Sequence, residues 1–555
     1  MKNLFKKLAC IALAASVPVS MAACGGKPIG GDVVDSIDKS KTQLRVFNYN
    51  GGVGSEWFDK VAERFEEDYK DYKIGDKTGV EIVPEKSKKD PFQNLPGSTA
   101  NVIFSEIANY SQLVGNKELL DLSDIMNTPL NELTKTTDTA TLKSKMYDET
   151  IDFYSFSGDK IYAMPHYAFF SALTYNKQLM TDRNLYFAKE YDVNASDEAK
   201  FVTNAAADKS CGPDGDYGTD DDGLPATYDE LYILFNQMVQ RGVTPLTAAG
   251  QEMPKGYVNY LLNNVYLSLA GKEEAMLNYT FDSKGKTITI VESFDKNGNP
   301  VTKQEVITSD NYKTVNKTLA KYQAIEIVDK ILDTATWQTR DFNSDTTSML
   351  SAQQAYVESY NKGTPTAMII EGSYWYNEAE NAGYIEDTAN NYADFADKND
   401  YQILPLPRVY HGTYKDVEGK QVGKSVYADQ ADSIAVINAN IASDTELVKL
   451  AKAFIAYCYT DESLKEFTET TGVTRTLKYS VDETKLSDWG KAVWNYTKAS
   501  DVVLPYSRNQ LYLNNRTEFS MHVANKFWSV NSKNVYTACK GSGTAQSYFT
   551  EYMSR

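Results

Sequence analysis

Residues 158–180 read GDKIYAMPHYAFFSALTYNKQLM, and no single strand or helix accommodates them. A turn at Gly158-Asp159 leads into Ile161, Tyr162 and Ala163. Pro165 then interrupts the apolar run, and a second apolar segment follows over 168–175. A proline donates no hydrogen bond to a ladder, so it belongs where the backbone leaves one sheet and enters another. The stretch therefore predicts two strands in different sheets, with an interdomain hinge at Pro165. A chain of 555 residues has room for more than one core, at roughly 100–200 residues per domain.

The N-terminal segment places such a chain outside the cytoplasm. Lys2, Lys6 and Lys7 precede an apolar run over 8–19, which ends in Met21-Ala22-Ala23-Cys24-Gly25. A basic head, a short apolar stretch and small residues describe a secretory signal over 1–23; a transmembrane helix needs roughly 20 apolar residues. Cysteine directly after two alanines is similar to the lipobox of bacterial lipoproteins, which makes Cys24 the expected site of lipidation. The alternative is ordinary cleavage near Ala23 with a free thiol. Acyl chains contribute about 0.8 kcal/mol per buried CH₂, enough in combination to hold a domain at a membrane. Residues 24–43, rich in Gly, Asp, Ser and Lys, then read as a flexible tether.

The formal net charge of −18 repels nucleic acid and anionic lipid heads, so neither is an expected partner. Beyond Cys10 and Cys24 the chain has Cys211, Cys458 and Cys539, which cannot all pair with one another. Cys458 lies in the apolar helical run AKAFIAYCY and reads as a buried small hydrophobe. His166, His411 and His522 lack metal-ligand spacing.

Polar groups gather at the ends of predicted strands. A strand over 44–48 runs into Asn48, Tyr49, Asn50 and Gly51-Gly52-Val53-Gly54, and a helix follows with Trp57, Phe58, Val61, Ala62 and Phe65 at helical spacing. The glycine loop has neither the spacing of a dinucleotide fingerprint nor the Lys-Ser/Thr of a phosphate loop. A loop at the carboxyl end of a strand is still where open α/β sheets bind ligands, and amides and phenols suit sugar hydroxyls. The strand over 102–104 ends in Ser105-Glu106. A buried strand over 367–370 ends in Glu371, Gly372, Ser373, Tyr374, Trp375 and Tyr376. Aromatic faces pack on the C–H face of a pyranose while carboxylates bind its hydroxyl edge. Helices are expected after the cap at 227–230 and over 315–332, 347–361 and 446–459.

The order lysine, Ile-Tyr-Ala-Met-Pro, aromatics and Leu-Thr-Tyr-Asn-Lys resembles the first hinge crossing of the extracellular solute-binding proteins that serve ABC sugar importers. NVIFSE at 101, LLDLSDIM at 119, PATYDEL at 225, GVTPLTAAG at 242, GTPTAMIIEGSYW at 363, ILPLPRV at 403 and TGVTRTL at 471 extend the resemblance in the family's order. It implies an α/β, two-lobe periplasmic-binding-protein-like (Venus flytrap) fold with three interlobe crossings. Lobe 1 would comprise 44–165 plus 430–474, and lobe 2 166–429 plus 475–555. The implied ligand is a sugar, and insertion length and aromatic content suggest an oligosaccharide; a peptide or another polar solute stays open. Asn48, Tyr49, Asn50, Ser105, Glu106, His166, Tyr167, Glu371, Ser373, Tyr374 and Trp375 are its expected contacts. Asp429 and Asp432 replace the family's usual glycines at the second crossing and supply acceptors. Arg475 is expected at the cleft border or in a surface ion pair. The implied partners are ABC permease subunits reading the closed form of a monomer, with no required cofactor.

Other readings stand beside this one. Glu106 and Glu371 could flank a glycosidic bond as a hydrolase pair, about 5–10 Å apart, but Gly-x-Ser-x-Gly, HExxH and phosphate-loop motifs are absent from the sequence. A surface lipoprotein that senses sugar would use the same site. Two insertions depart from shorter family members. In the one over 185–223, Asp214, Asp216, Asp220 and Asp222 offer hard oxygens to calcium or form a solvated acidic turn. The one over 278–310 reads as a β-meander, with Asp295, Asn297 and Asn299 in a turn.

Overall fold

The computed structural model describes residues 37–555 except 50, 88–90, 107–108, 157, 252–255, 432, 505–508, 522–523 and 541–542. The expected signal peptide, Cys24 and most of the tether lie outside the described residues.

The strand Thr42–Tyr49 points Leu44 and Val46 into a core and pairs in parallel with Val80–Ser87 on one side and Val102–Ser105 on the other. Ile434–Ile437 and Ala163–Pro165 complete this sheet, in the spatial order Val80–Ser87, Thr42–Tyr49, Val102–Ser105, Ile434–Ile437, Ala163–Pro165. Both edge strands carry a proline, Pro84 and Pro165, where a missing donor costs no ladder bond. The helix Glu56–Asp68 lays Trp57, Phe58, Val61, Ala62 and Phe65 on this sheet at the spacing read from the sequence. Thr445–Cys458 covers it as well, capped by the Asp444 side chain on Leu447 N.

A second sheet runs Thr244–Thr247, Thr366–Gly372, Ser171–Asn176, Tyr401–Ile403. Thr366–Gly372 is buried along its whole length, as its continuous apolar run requires of a central strand. The helix Tyr228–Gln240 begins at Thr227, whose hydroxyl accepts from Glu230 N, and ends before Gly242, which takes the left-handed φ of 71°. Gly256–Thr280, Leu319–Asp333 and the C-terminal helices pack in the same core.

Among the described residues the chain passes between the sheets in three places. Residues 166–170 join Ala163–Pro165 to Ser171–Asn176, residues 429–433 join Val426–Ala428 to Ile434–Ile437, and residues 472–476 follow the helix Asp461–Thr471. The first core gathers residues 44–167 and 434–477, with Tyr479 packed on it; two further clusters hold the remainder.

The insertions are structured. Leu185, Phe187, Phe201 and Cys211 anchor residues 185–223 in the second core. The span over 278–310 is a hairpin rather than a meander: the helical stretch Gly256–Thr280, broken at Gly271 where φ is 66°, ends at Thr280, and Thr287–Phe294 then pairs antiparallel with Pro300–Val306. Asp295 Oδ1 accepts from the amides of Asn297 and Asn299, closing the expected turn. In the acidic loop expected to bind calcium or to form a solvated turn, carboxylates close local turns. Asp214 Oδ1 accepts from Asp216 N, Asp222 Oδ2 accepts from Gly218 N, and among the described residues no three acidic, imidazole or thiol side chains converge as metal ligands. Cys211, Cys458 and Cys539 are buried free thiols. No described helix is long and apolar enough to cross a membrane.

Candidate functional site

The glycine loop after the first strand meets the end of Thr366–Gly372 across the gap between the lobes. The Asn48 side chain is fully buried and donates to Gly54 O at 3.1 Å, which folds the loop back on its own strand. Gly52 then lies so close to Tyr374 that a Cβ there would sit 2.7 Å from the ring's Cγ and Cδ2. A Cβ on Gly51 would sit 2.1 Å from Cε1 of the Tyr49 ring and 2.9 Å from Glu106 Oε2. The glycines are thus required by close approach to the opposite lobe, to the Tyr49 ring and to Glu106, not by phosphate binding. Asn377 Nδ2 donates to Thr471 O at 2.6 Å, and Arg516 Nη1 donates to Ser111 Oγ at 3.2 Å, further tying lobe to lobe.

Tyr374 is the centre of this seam. Its half-buried ring packs on Phe169 of the first crossing, centroids 5.0 Å apart. Burial raises its pKa, and Glu378, Glu371, Tyr260 and Glu106 raise it further. Carboxylates of both lobes therefore act electrostatically on this one phenol. Glu371 is buried; its Oε1 accepts from Tyr257 Oη at 3.1 Å and Gln353 Nε2 at 3.3 Å, and its Oε2 accepts from Gly372 N at 3.1 Å. Burial, reinforced by Glu378, pushes this carboxyl up to about 8. At neutral pH it is mostly protonated, a neutral group among acceptors. Such a cluster offers acceptors and aromatic faces to a neutral, hydroxyl-rich molecule.

The structure separates the sequence candidates into groups. Tyr49, Glu106, Glu371 and Tyr374 stand at the seam. Asn48 and Ser373 support it: Ser373 Oγ donates to Ala168 O at 3.1 Å and Ser373 O accepts from Trp489 Nε1 at 3.1 Å, pinning the strand end to the first crossing. Ser105 is fully buried at its strand end. Asn50 and Asp432 lie outside the described residues.

Other candidates are displaced into cores. Trp375, expected to stack on ligand, is fully buried and edge-packed against Tyr356, Tyr401 and Trp489, because it opens the helix Trp375–Asn381 with its indole turned into the second lobe. His166 and Tyr167 belong to the first core; His166 packs on Trp57, Phe104 and Phe467, and burial, with the Arg475 charge adding to it, holds its pKa well below the usual value. Arg475 is buried rather than exposed in a surface ion pair. Its guanidinium lies 4.1 Å from the Phe467 ring centroid and 4.7 Å from that of Tyr459, and Nη1 donates to Cys458 O at 2.8 Å.

Asp429 takes a different part from the one expected of it. It is buried, and its carboxylate accepts from Phe169 N at 3.2 Å, from Ala431 N at 3.1 Å and from the Thr476 hydroxyl. One side chain thus holds all three crossings. Burial raises its pKa to about 6, against the pull of those hydrogen bonds.

Sequence reasoning missed Tyr257, Tyr260, Gln353, Glu378 and Phe169. Tyr257 and Tyr260 stand three residues apart at the start of Gly256–Thr280, a spacing that places two phenols on one face. Gln353 carries no comparable signal.

No family model matches the chain, and no curated protein matches it in sequence. Solved structures do. A chitin oligosaccharide binding protein is 14% identical with a TM-score of 0.51, the match covering 93% of this chain and 100% of that one. The apo form of RafE from Streptococcus pneumoniae is 13% identical with a TM-score of 0.52, over 93% and 97%. The GacH receptor of Streptomyces glaucescens, solved unliganded and with acarbose, is 15% identical with a TM-score of 0.51, over 93% and 97%. The chain has the two-lobe α/β periplasmic-binding-protein-like fold, the Venus flytrap.

Proposed function

We propose that this chain is a solute-binding protein that holds a sugar, an oligosaccharide by our reading, between its lobes and delivers it to an ABC importer without altering it. The observation that carries the reading is the seam itself, where the glycine loop and Glu106 of one lobe face Tyr374 and Glu371 of the other across hinge crossings. Tyr374 supplies an aromatic face, Glu106 and Glu378 accept from hydroxyls, and buried Glu371 holds Tyr257 and Gln353 in place behind them. Structures named for chitin oligosaccharide and acarbose binding share the fold and support the choice of ligand class. A ligand touching both lobes favours their closed arrangement by its differential affinity for it, and the closed form is what a permease would read.

The leader-like segment and Cys24 fit a lipid anchor at the outer face of the cell membrane. Mass spectrometry of the protein from membranes checks this: an acylated N-terminal Cys24 is expected, and an unmodified thiol contradicts it.

Calorimetric titration against a panel of chitin, malto-, xylo- and raffinose-series oligosaccharides tests the central reading. Saturable binding with each sugar recovered intact is expected. Shortened products would turn the reading toward hydrolysis by a Glu106/Glu371 pair, and no binding across the panel would overturn the sugar assignment.

A further inference from the structure

A second cavity opens beside the crossings, and none of the seam residues lines it. It measures about 300 Å³ and is walled by Tyr147 and Glu149 of the first lobe, Thr474–Leu477 of the third crossing, and Lys272, Tyr427, Trp494, Thr497, Lys498 and Asp501 of the second. Lys272 Nζ bridges the lobes to Glu149 Oε1 at 2.9 Å. Lys498 Nζ sits 4.3 Å from the Trp494 ring centroid, and the Tyr479 ring packs on Trp494 at 5.4 Å.

We propose that this cavity is a second ligand site, for a small neutral polyol of monosaccharide size, coupled to the seam through Asp429. Size is the first argument, since 300 Å³ is the lower end of small-molecule pockets and suits one sugar ring rather than a chain. Charge is the second. Lys272 and Lys498 are balanced in number by Glu149 and Asp501, and the fifth charged residue of the wall, Arg475, directs its guanidinium at the Phe467 and Tyr459 rings and at Cys458 O, so little charge is left to select an ion. Hydrogen-bonding groups line it as well, among them Thr474 and Thr497, whose hydroxyl proton goes to Val493 O and Trp494 O while its oxygen can accept, beside aromatic walls.

The coupling is a short chain of contacts. Thr476, in the cavity wall, donates its hydroxyl to Asp429; Asp429 accepts from Phe169 N; the Phe169 ring packs on Tyr374 at the seam. Because both lobes and a crossing form the wall, any rotation of the lobes reshapes the cavity. A ligand that fits one arrangement better than another shifts the equilibrium toward it, and the effect is reciprocal with the seam ligand.

Saturation-transfer NMR with D-glucose and D-xylose as probes tests this on the full chain. Three variants accompany it: Thr497→Trp, which fills the cavity, Lys272→Met at its half-buried rim, and Tyr374→Ala at the seam. The probe signal is expected to survive Tyr374→Ala, to fall at least tenfold in Thr497→Trp, and to weaken severalfold in Lys272→Met, a rim change that leaves the core untouched should the tryptophan disturb folding. Loss of signal in Tyr374→Ala with retention in both other variants would overturn the proposal, as would the absence of signal from either sugar in the unmodified protein. The Tyr374→Ala arm keeps failure here distinct from failure of the oligosaccharide reading, which titration of the seam decides.

Discussion

At the scale of single residues, adjacent aromatics divide the work. Tyr374 faces the opposite lobe and Trp375 faces its own core. Tyr374→Ala is expected to weaken the best oligosaccharide at least tenfold, about 1.4 kcal/mol, with little change in the urea midpoint. Trp375→Ala is expected to lower stability by about 3–5 kcal/mol, the cost of emptying a packed aromatic site. Equal effects of the two variants on binding and on the midpoint would contradict this division. Glu371 adds a pH signature. Its carboxyl is raised from 4.5 to about 8 in the folded protein, so protonation stabilises the native state. That stabilisation is complete below the unfolded value and is lost as pH rises through about 8. Urea midpoints measured from pH 5 to pH 9 are expected to fall less steeply for Glu371→Gln than for the unmodified chain; parallel curves would contradict it.

At the scale of elements, the glycine loop and the crossings set what can close. Gly52→Val puts a branched side chain where Tyr374 already stands. Parting of the lobes relieves the clash without entering either lobe's interior, so the fold is expected to persist while oligosaccharide affinity drops at least tenfold in calorimetry; unchanged affinity would show that the lobes do not approach there. Asp429→Ala removes the shared acceptor of all three crossings. A cost of about 3 kcal/mol is expected, since hydrogen bonds to a charged group contribute about 1.5–3 kcal/mol each and relaxation recovers part of it. Faster hydrogen exchange at the Phe169 and Ala431 amides is the local readout.

Much of this element scale was legible in the sequence, because it follows from rules of short range. The helix face from Trp57 to Phe65, the Thr227 cap, the buried strand before Glu371 and the exit at Pro165 all follow from periodicity, capping and a missing amide donor. The site was less legible. Trp375 and Tyr374 differ by one residue, and which of them turns inward depends on where the helix Trp375–Asn381 begins, a packing outcome. Arg475 looked like a surface or cleft charge because sequence does not reveal that Phe467 and Tyr459 surround it. Tyr257 and Gln353 reach Glu371 from 114 and 18 residues away, through tertiary contacts that leave no local pattern.

At the scale of the whole molecule, two lobes joined by three backbone passages make a body whose parts can rotate about those passages. Each lobe buries its own sheet, so relative rotation leaves both cores intact and acts on the crossings and on the seam. The seam ligand and the inferred cavity ligand would both act on that rotation. Small-angle scattering with and without a saturating oligosaccharide measures it most directly, with Gly52→Val as the control. The radius of gyration is expected to fall on saturation of the unmodified chain and to stay constant in the variant; identical profiles for the unmodified chain with and without tightly bound sugar would contradict closure around a ligand.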